Sequence, residues 1–151
     1  MPSEQPPQLQ TSIEIKASPE KVFDAWTDPV QLLAWWGDDS MYHSTRWECD
    51  VRKGGAWFCE GLMASGAAYT VSGEYLAVER PNKLEFTWAP NWDAPLVTTV
   101  TVEFLAIPTG TLLKLNHTGF ITVQSRDGHA KGWDRVLAWV LSYTESTTRR
   151  V

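Results

Sequence analysis

Few side chains in this sequence have the spacing that metal or nucleophilic chemistry requires. The three histidines, His43, His117 and His129, lack the spacing of metal ligands, and no Cys-x-x-Cys or His-Glu-x-x-His pattern occurs. Neither a Gly-x-Ser-x-Gly turn nor a glycine-rich phosphate loop is present in the sequence. The sequence therefore predicts no metal site, no cofactor and no activated serine.

His117 is the candidate for a polar contact inside the protein. It ends an apolar row on the last predicted strand. Such a histidine could orient a ligand by a hydrogen bond or transfer a proton near neutral pH, with Tyr69 or Tyr75 as a second contact. A core histidine with satisfied hydrogen bonds is the alternative interpretation. No catalytic residue is assigned, and His117 is the candidate only if the protein is an enzyme.

Two residue pairs lie near a predicted turn at 53–55. A three-residue turn would place Cys49 directly opposite Cys59, and two buried free thiols are expected there rather than a disulfide. Asp50 and Arg52 lie two residues apart on one strand face, which favours an ion pair that braces the turn. Neither pair indicates catalysis.

Nine tryptophans are more than an ordinary core of this size needs. Each indole brings a large apolar surface and one N–H donor. The surplus predicts either an aromatic-lined cavity or an exposed recognition surface, and dense core packing is the alternative. Trp92 lies in a predicted loop and is a candidate lid. The candidate ligand-binding residues are Trp35, Trp47, Trp57, Tyr69, Trp88, His117, Trp133 and Leu137.

The elements that must position these residues follow from the hydrophobic pattern. Residues 12–17 alternate as a strand, and two short helices begin at Ser18-Pro19 and Asp28-Pro29, where a capping side chain precedes a proline. Residues 42–118 alternate as five or six antiparallel strands, and Gly73 suggests a bulge. Apolar residues spaced by three and four predict the longest helix over 127–147.

Strands massed in one block favour an α+β fold over repeated βαβ units. The simplest packing is a curved antiparallel sheet wrapped around the long C-terminal helix, with both short helices at one end. A bent sheet and a straight helix mate poorly, so a hollow is expected between them.

Length and charge exclude several classes of function. The 151 residues fit one domain, predicted over 11–148, after a polar and proline-rich tail at 1–10 that we expect to be disordered. A net charge of -5 argues against nucleic-acid binding and against adhesion to anionic membranes. No apolar run is long enough for a membrane span. Two cysteines without an export signal favour a cytoplasmic location.

An ordered set of short segments carries a family resemblance over about residues 12–142. The segments are SPE at 18–20, VFDAWTDP at 22–29, WWG at 35–37, DVRKGG at 50–55, Trp57, GEY at 73–75, LEFTW at 84–88, TVTVEF at 99–104, LKLNHTG at 113–119 and Gly132-Trp133. With these, the chain resembles the heat-shock-protein-90 ATPase activator homologue 1-like family. That family lies within the START, polyketide cyclase and birch-pollen-allergen (SRPBCC) superfamily.

The resemblance implies the helix-grip fold and leaves three functions open. The first is binding of a small hydrophobic or aromatic molecule, such as a lipid, in a cavity between helix and sheet without catalysis. The second is a cyclase, aromatase or hydratase acting on a polyketide-like substrate. The third is a co-chaperone-type interaction domain with a protein partner, although the eukaryotic co-chaperones carry a further N-terminal domain that has no counterpart in this sequence.

Overall fold

The computed structural model describes residues 7–38 and 40–148. Within these ranges eight strands form one antiparallel sheet and three α-helices pack on it. The strands are β1 Leu9–Ile15, β2 Gly37–Asp38, β3 Tyr42–Cys49, β4 Ala56–Met63, β5 Ala68–Glu79, β6 Lys83–Pro90, β7 Thr98–Ile107 and β8 Gly110–Thr118. The helices are α1 Pro19–Thr27, α2 Pro29–Trp35 and α3 Val123–Thr148, with one turn of 3₁₀ helix at Asn91–Asp93.

The sheet order is β1-β8-β7-β6-β5-β4-β3-β2, so the first strand pairs with the last and the sheet curls into a half-barrel. The backbone of α3 packs most closely on β1 and on α1, at one side of the sheet. The α+β helix-grip architecture predicted above is confirmed. None of the helices within residues 7–38 and 40–148 combines the length and the apolar character of a membrane span.

The two short helices begin where the sequence predicted. The Ser18 hydroxyl accepts a hydrogen bond from the Lys21 amide at 3.2 Å, and the Asp28 carboxylate accepts one from the Val30 amide at 3.0 Å. Each cap satisfies an amide that the first helical turn cannot pair, and the proline that follows has no amide hydrogen to satisfy.

Two elements are longer than predicted. β1 begins at Leu9, which pairs with His117, so the expected tail at 1–10 is too long; residues 1–6 of that tail lie outside the described residues. α3 begins at Val123 rather than at 127. The Thr122 hydroxyl accepts a hydrogen bond from the Ser125 amide at 3.0 Å, a capping contact that the apolar pattern does not reveal.

The cysteines are not directly opposite each other, so that prediction is wrong. The ladder pairs Cys49 with Trp57 and Trp47 with Cys59, because the connection between β3 and β4 spans residues 50–55 and is longer than a three-residue turn. Both thiols are free, and burial raises the pKa of each. The expected ion pair is present, with Arg52 Nε 3.0 Å from Asp50 Oδ2.

Candidate ligand-binding site

Seven of the nine tryptophans form one continuous network of ring contacts. Neighbouring ring centroids in this network lie between 5.1 and 6.4 Å apart. The network crosses from α1 and α2 through β3, β4 and β6 to α3, and its members are Trp26, Trp35, Trp36, Trp47, Trp57, Trp88 and Trp133. Rings in edge-to-face or offset contact stabilise one another beyond the area they bury. The network thus supplies a rigid aromatic wall.

A cavity of about 470 Å³ lies between this wall and the first half of α3. Pockets that hold small organic ligands have volumes of roughly 300–1,000 Å³. The lining is largely aromatic and comes from the end of α2, from β3 to β6, from the 3₁₀ turn and from α3. Its aromatic residues are Trp36, Tyr42, Trp47, Trp57, Tyr69, Trp88, Trp92, His129 and Trp133.

Two glycines explain why α3 does not fill this space. Gly128 and Gly132 lie one turn apart and both line the cavity. A Cβ built at either position meets no atom within 4 Å. At one helical turn apart, both positions present the same face of the helix to the cavity. Each of the two glycines costs about 1 kcal/mol of helix stability relative to alanine. In return, the space that two side chains would occupy remains part of the cavity.

Another glycine positions the floor of the cavity. The indole of Trp57 passes over Gly73 and donates a hydrogen bond to the Thr87 carbonyl at 3.2 Å. A Cβ on Gly73 would lie 1.9 Å from that carbonyl oxygen and 2.5 Å from the indole nitrogen. The bulge suggested at Gly73 is therefore wrong. The register shift falls at Tyr75–Ala77, and Gly73 instead allows the close approach of Trp57.

The structure brings five of the eight candidate residues to the cavity: Trp47, Trp57, Tyr69, Trp88 and Trp133. Trp35 lies outside it, because its indole points back to the Ala25 carbonyl, to which it donates at 2.8 Å. Its neighbour Trp36 lines the cavity in its place. Leu137 is also buried away from the cavity, whose lining on α3 ends one residue earlier at Val136.

His117 is likewise outside the cavity, behind the indole of Trp133. Trp133 Nε1 donates to His117 Nδ1 at 2.9 Å, and His117 Nε2 lies 2.6 Å from the Thr98 hydroxyl, which donates to the Trp88 carbonyl. Because an indole nitrogen only donates, Nε2 carries the proton and donates to Thr98. Burial, with a smaller contribution from His129, lowers the pKa of His117 to about 3. His117 thus positions Trp88 and Trp133.

His129 is a cavity residue that the sequence pattern did not single out. Its Nε2 accepts a hydrogen bond from Trp88 Nε1 at 3.2 Å, and its Nδ1 lies 2.9 Å from the Ser125 carbonyl, to which it donates. The ring of Trp92 stacks on it with centroids 6.3 Å apart, and Trp92 is 53% exposed at the mouth of the cavity. The four-residue spacing of Ser125, His129 and Trp133 along α3 is the signal that could have found it.

No group of three or more metal-ligating side chains is found within residues 7–38 and 40–148. Three buried polar atoms have no hydrogen-bond partner in the same part of the chain: Trp26 Nε1, Trp47 Nε1 and the Tyr69 hydroxyl. Burial raises the pKa of Tyr69, so its hydroxyl stays protonated.

Comparison with known proteins agrees with this architecture. The model of the family described as Activator of Hsp90 ATPase homolog 1-like protein matches residues 16–142. The chain belongs to this family. The predicted resemblance is confirmed, and with it the place of the AHSA1-like chain in the SRPBCC superfamily. Comparison with curated proteins gave no match.

Solved structures of bacterial proteins share the AHSA1-like fold of this chain. One from Chromobacterium violaceum is 24% identical with a TM-score of 0.83, covering 93% of this chain and 99% of that one. An AHSA1-like protein from Aeromonas hydrophila is 25% identical with a TM-score of 0.80, covering 93% and 94%. An AHSA1 protein from Silicibacter pomeroyi is 26% identical with a TM-score of 0.78, covering 90% and 96%.

Proposed function

We propose that this AHSA1-like protein binds a small hydrophobic or aromatic molecule in the cavity between α3 and the sheet. The observation that carries the proposal is the cavity of about 470 Å³ with its tryptophan wall. An apolar guest gains roughly 25 cal/mol for each Å² of its surface removed from water. Aromatic guests gain further from edge and face contacts with the indoles.

Two features favour binding over catalysis. The histidine predicted from the sequence as a candidate acid or base, His117, has both ring nitrogens engaged by protein groups behind the wall. His129 faces the cavity, but its two nitrogens also bond to Trp88 and to the Ser125 carbonyl. A general acid or base needs a nitrogen within hydrogen-bond reach of the substrate. Tyr69, which lines the cavity, holds its proton because burial raises its pKa, so its hydroxyl suits a hydrogen bond to a ligand better than proton transfer. The geometry therefore supports a carrier or sensor more than a cyclase-type enzyme.

The test is a fluorescence titration with N-phenyl-1-naphthylamine, a neutral aromatic probe that brightens in apolar surroundings. The chain with Gly132→Phe is compared with the matched control Gly132→Ala. The phenyl ring occupies part of the cavity and competes with the probe for the surface beside α3, so we expect probe affinity to fall at least about tenfold, the loss expected when apolar contacts of 1–3 kcal/mol are removed. The alanine adds one methyl group where space is open, so binding is retained.

Circular dichroism and unfolding curves show whether both variants are folded. A wild-type chain that does not bind the neutral probe contradicts the proposal. So does a folded Gly132→Phe variant that binds it as tightly as Gly132→Ala does, because the probe then sits elsewhere.

We also infer a cytoplasmic location. The chain has two cysteines, both free, rather than a disulfide framework, which is typical of a protein kept in a reducing compartment. Fractionation of the source cells tests this inference, and recovery of the protein outside the cytoplasm would contradict it.

A further inference from the structure

One end of the cavity carries a positive charge that has no carboxylate partner within residues 7–38 and 40–148. Arg135 lies on α3, lines the cavity and is exposed to solvent. Tyr42 of β3 also lines the cavity and is half-buried, and it lies near enough to Arg135 for that charge to act on its pKa. Of the five arginines within residues 7–38 and 40–148, four pair with a carboxylate, and Arg135 is the exception. The four pairs are Arg46–Glu48, Arg52–Asp50, Arg80–Asp24 and Arg126–Asp127.

The Tyr42 hydroxyl is available to donate to a ligand. Its ring is held by edge-to-face contacts with Tyr69 and Trp139, at centroid distances of 5.6 and 5.5 Å. Burial raises the pKa of Tyr42, and the nearby charge of Arg135 opposes that shift without reversing it. The phenol therefore stays protonated near neutral pH, and an O–H donor stands next to a guanidinium.

Other charges at the mouth do not cancel Arg135. Asp93 lines the opposite end of the cavity and accepts a hydrogen bond from the Ser125 hydroxyl at 3.1 Å. Ser125 and Arg135 are ten residues apart on one helix, which is about 15 Å along its axis. Lys131 lies one turn before Arg135 on the same flank of α3 and adds a second positive charge there.

We infer that the cavity takes an amphipathic organic anion, whose apolar part lies against the tryptophan wall and whose acid group binds Arg135 and Tyr42. A guanidinium forms paired hydrogen bonds with the oxygens of a carboxylate or sulfonate, and hydrogen bonds to charged groups are the stronger ones. The inference deepens the proposed function and rests on it. A bound anion supplies the partner that Arg135 lacks within the described chain.

Two probes with the same ring skeleton test the anionic group separately from the cavity. 1-Anilinonaphthalene-8-sulfonate carries a sulfonate, and N-phenyl-1-naphthylamine is the same molecule without it. We expect Arg135→Gln to weaken the sulfonate probe about fivefold, because the lost ion pair is partly exposed to water. The neutral probe should change by less than about twofold, and Arg135→Lys should restore part of the lost affinity.

The matched control is Arg52→Gln, which removes the same charge from the distant turn after β3 and should leave both probes unchanged. Competition between the two probes confirms that they share one site. Raising the salt concentration should weaken the sulfonate probe in the wild type more than in Arg135→Gln.

The inference is overturned if Arg135→Gln and Arg52→Gln weaken the sulfonate probe equally, or if Arg135→Gln weakens both probes equally. In either case a wild type that still binds the neutral probe leaves the proposed function standing. A wild type that binds neither probe overturns the inference and the proposed function together.

Discussion

The two halves of the molecule share one sheet and one long helix, yet only one half is filled. In the closed half, β1, β7 and β8 pack against α1 and the later turns of α3. Its central side chains, Phe23, Phe104, Leu113, Leu115 and Val140, are at most 2% exposed. In the hollow half, β3 to β6 face the first turns of α3 across the cavity.

The difference lies in which side chains occupy each half. Phenylalanine and branched aliphatic residues interlock at the density of organic crystals, as the edge-to-face pair of Phe23 and Phe104 at 5.3 Å illustrates. The hollow half has rigid indoles tied in place by hydrogen bonds to Thr87, His129 and His117. Gly128 and Gly132 supply no side chain to meet them. Large, anchored rings opposite glycine leave a space with fixed walls.

The largest expected effect comes from Phe104→Ala in the closed half. The ring is fully buried, so its loss should cost about 3–5 kcal/mol in the free energy of unfolding, measured in urea. Affinity for the neutral probe should change by less than about twofold wherever the variant is folded, because Phe104 does not line the cavity. A variant with normal stability, or one that is folded but no longer binds the probe, would contradict the division into two halves.

The second-largest expected effect concerns His117, which lies at the border between the two halves. Its folded pKa of about 3 lies below the usual 6.5, so the unfolded state binds a proton that the folded state does not. The stability that the neutral histidine contributes is therefore present above pH 6.5 and is lost progressively as the pH falls from 6.5 to 3. At pH 5 the free energy of unfolding should be lower by about 2 kcal/mol.

The measurement is the free energy of unfolding at pH 7 and pH 5 for the wild type and His117→Gln. The variant keeps a donor and an acceptor but does not titrate, so its loss between the two pH values should be smaller by about 2 kcal/mol. Equal losses in both proteins would mean that the histidine is not buried and neutral.

The smallest effect comes from one substitution made in each half. Val136 lines the cavity, and Val140 lies one turn later and does not, although both are buried. Val140→Ala leaves a new cavity and should cost about 2 kcal/mol of unfolding free energy. Val136→Ala enlarges an existing one and should cost about 1 kcal/mol less. Both substitutions replace valine with alanine within α3, so the change in helix propensity is the same for each and cancels in the comparison. Equal costs would indicate that the space beside Val136 is filled.

The fold could be predicted largely from local signals. Ser18 and Asp28 before prolines set the starts of α1 and α2, and the alternation along residues 98–104 predicts β7. Features that depend on a strand distant in the sequence could not be predicted in this way. Nothing near Leu9 shows that β1 extends along β8 to His117. The offset of the two cysteines depends on the length of the connection after β3.

The site was predictable in composition but not in detail. An excess of tryptophan indicates an aromatic wall, and five of the eight named residues line the cavity. Trp35, His117 and Leu137 lie outside it because of the direction of their side chains. Trp35 and Trp36 are adjacent and chemically identical, and only the end of α2 decides which indole turns toward the cavity. The inward face of β8 does indicate His117, but not that Trp133 lies between it and the cavity.

The most direct test of the account is a crystal structure of the chain grown with N-phenyl-1-naphthylamine. We expect the naphthyl ring in the hollow half, in contact with Trp57, Trp88 and Trp133, while Phe104 and its neighbours in the closed half do not move. A structure in which the tryptophan side chains close the space and the probe is absent from it would contradict the account.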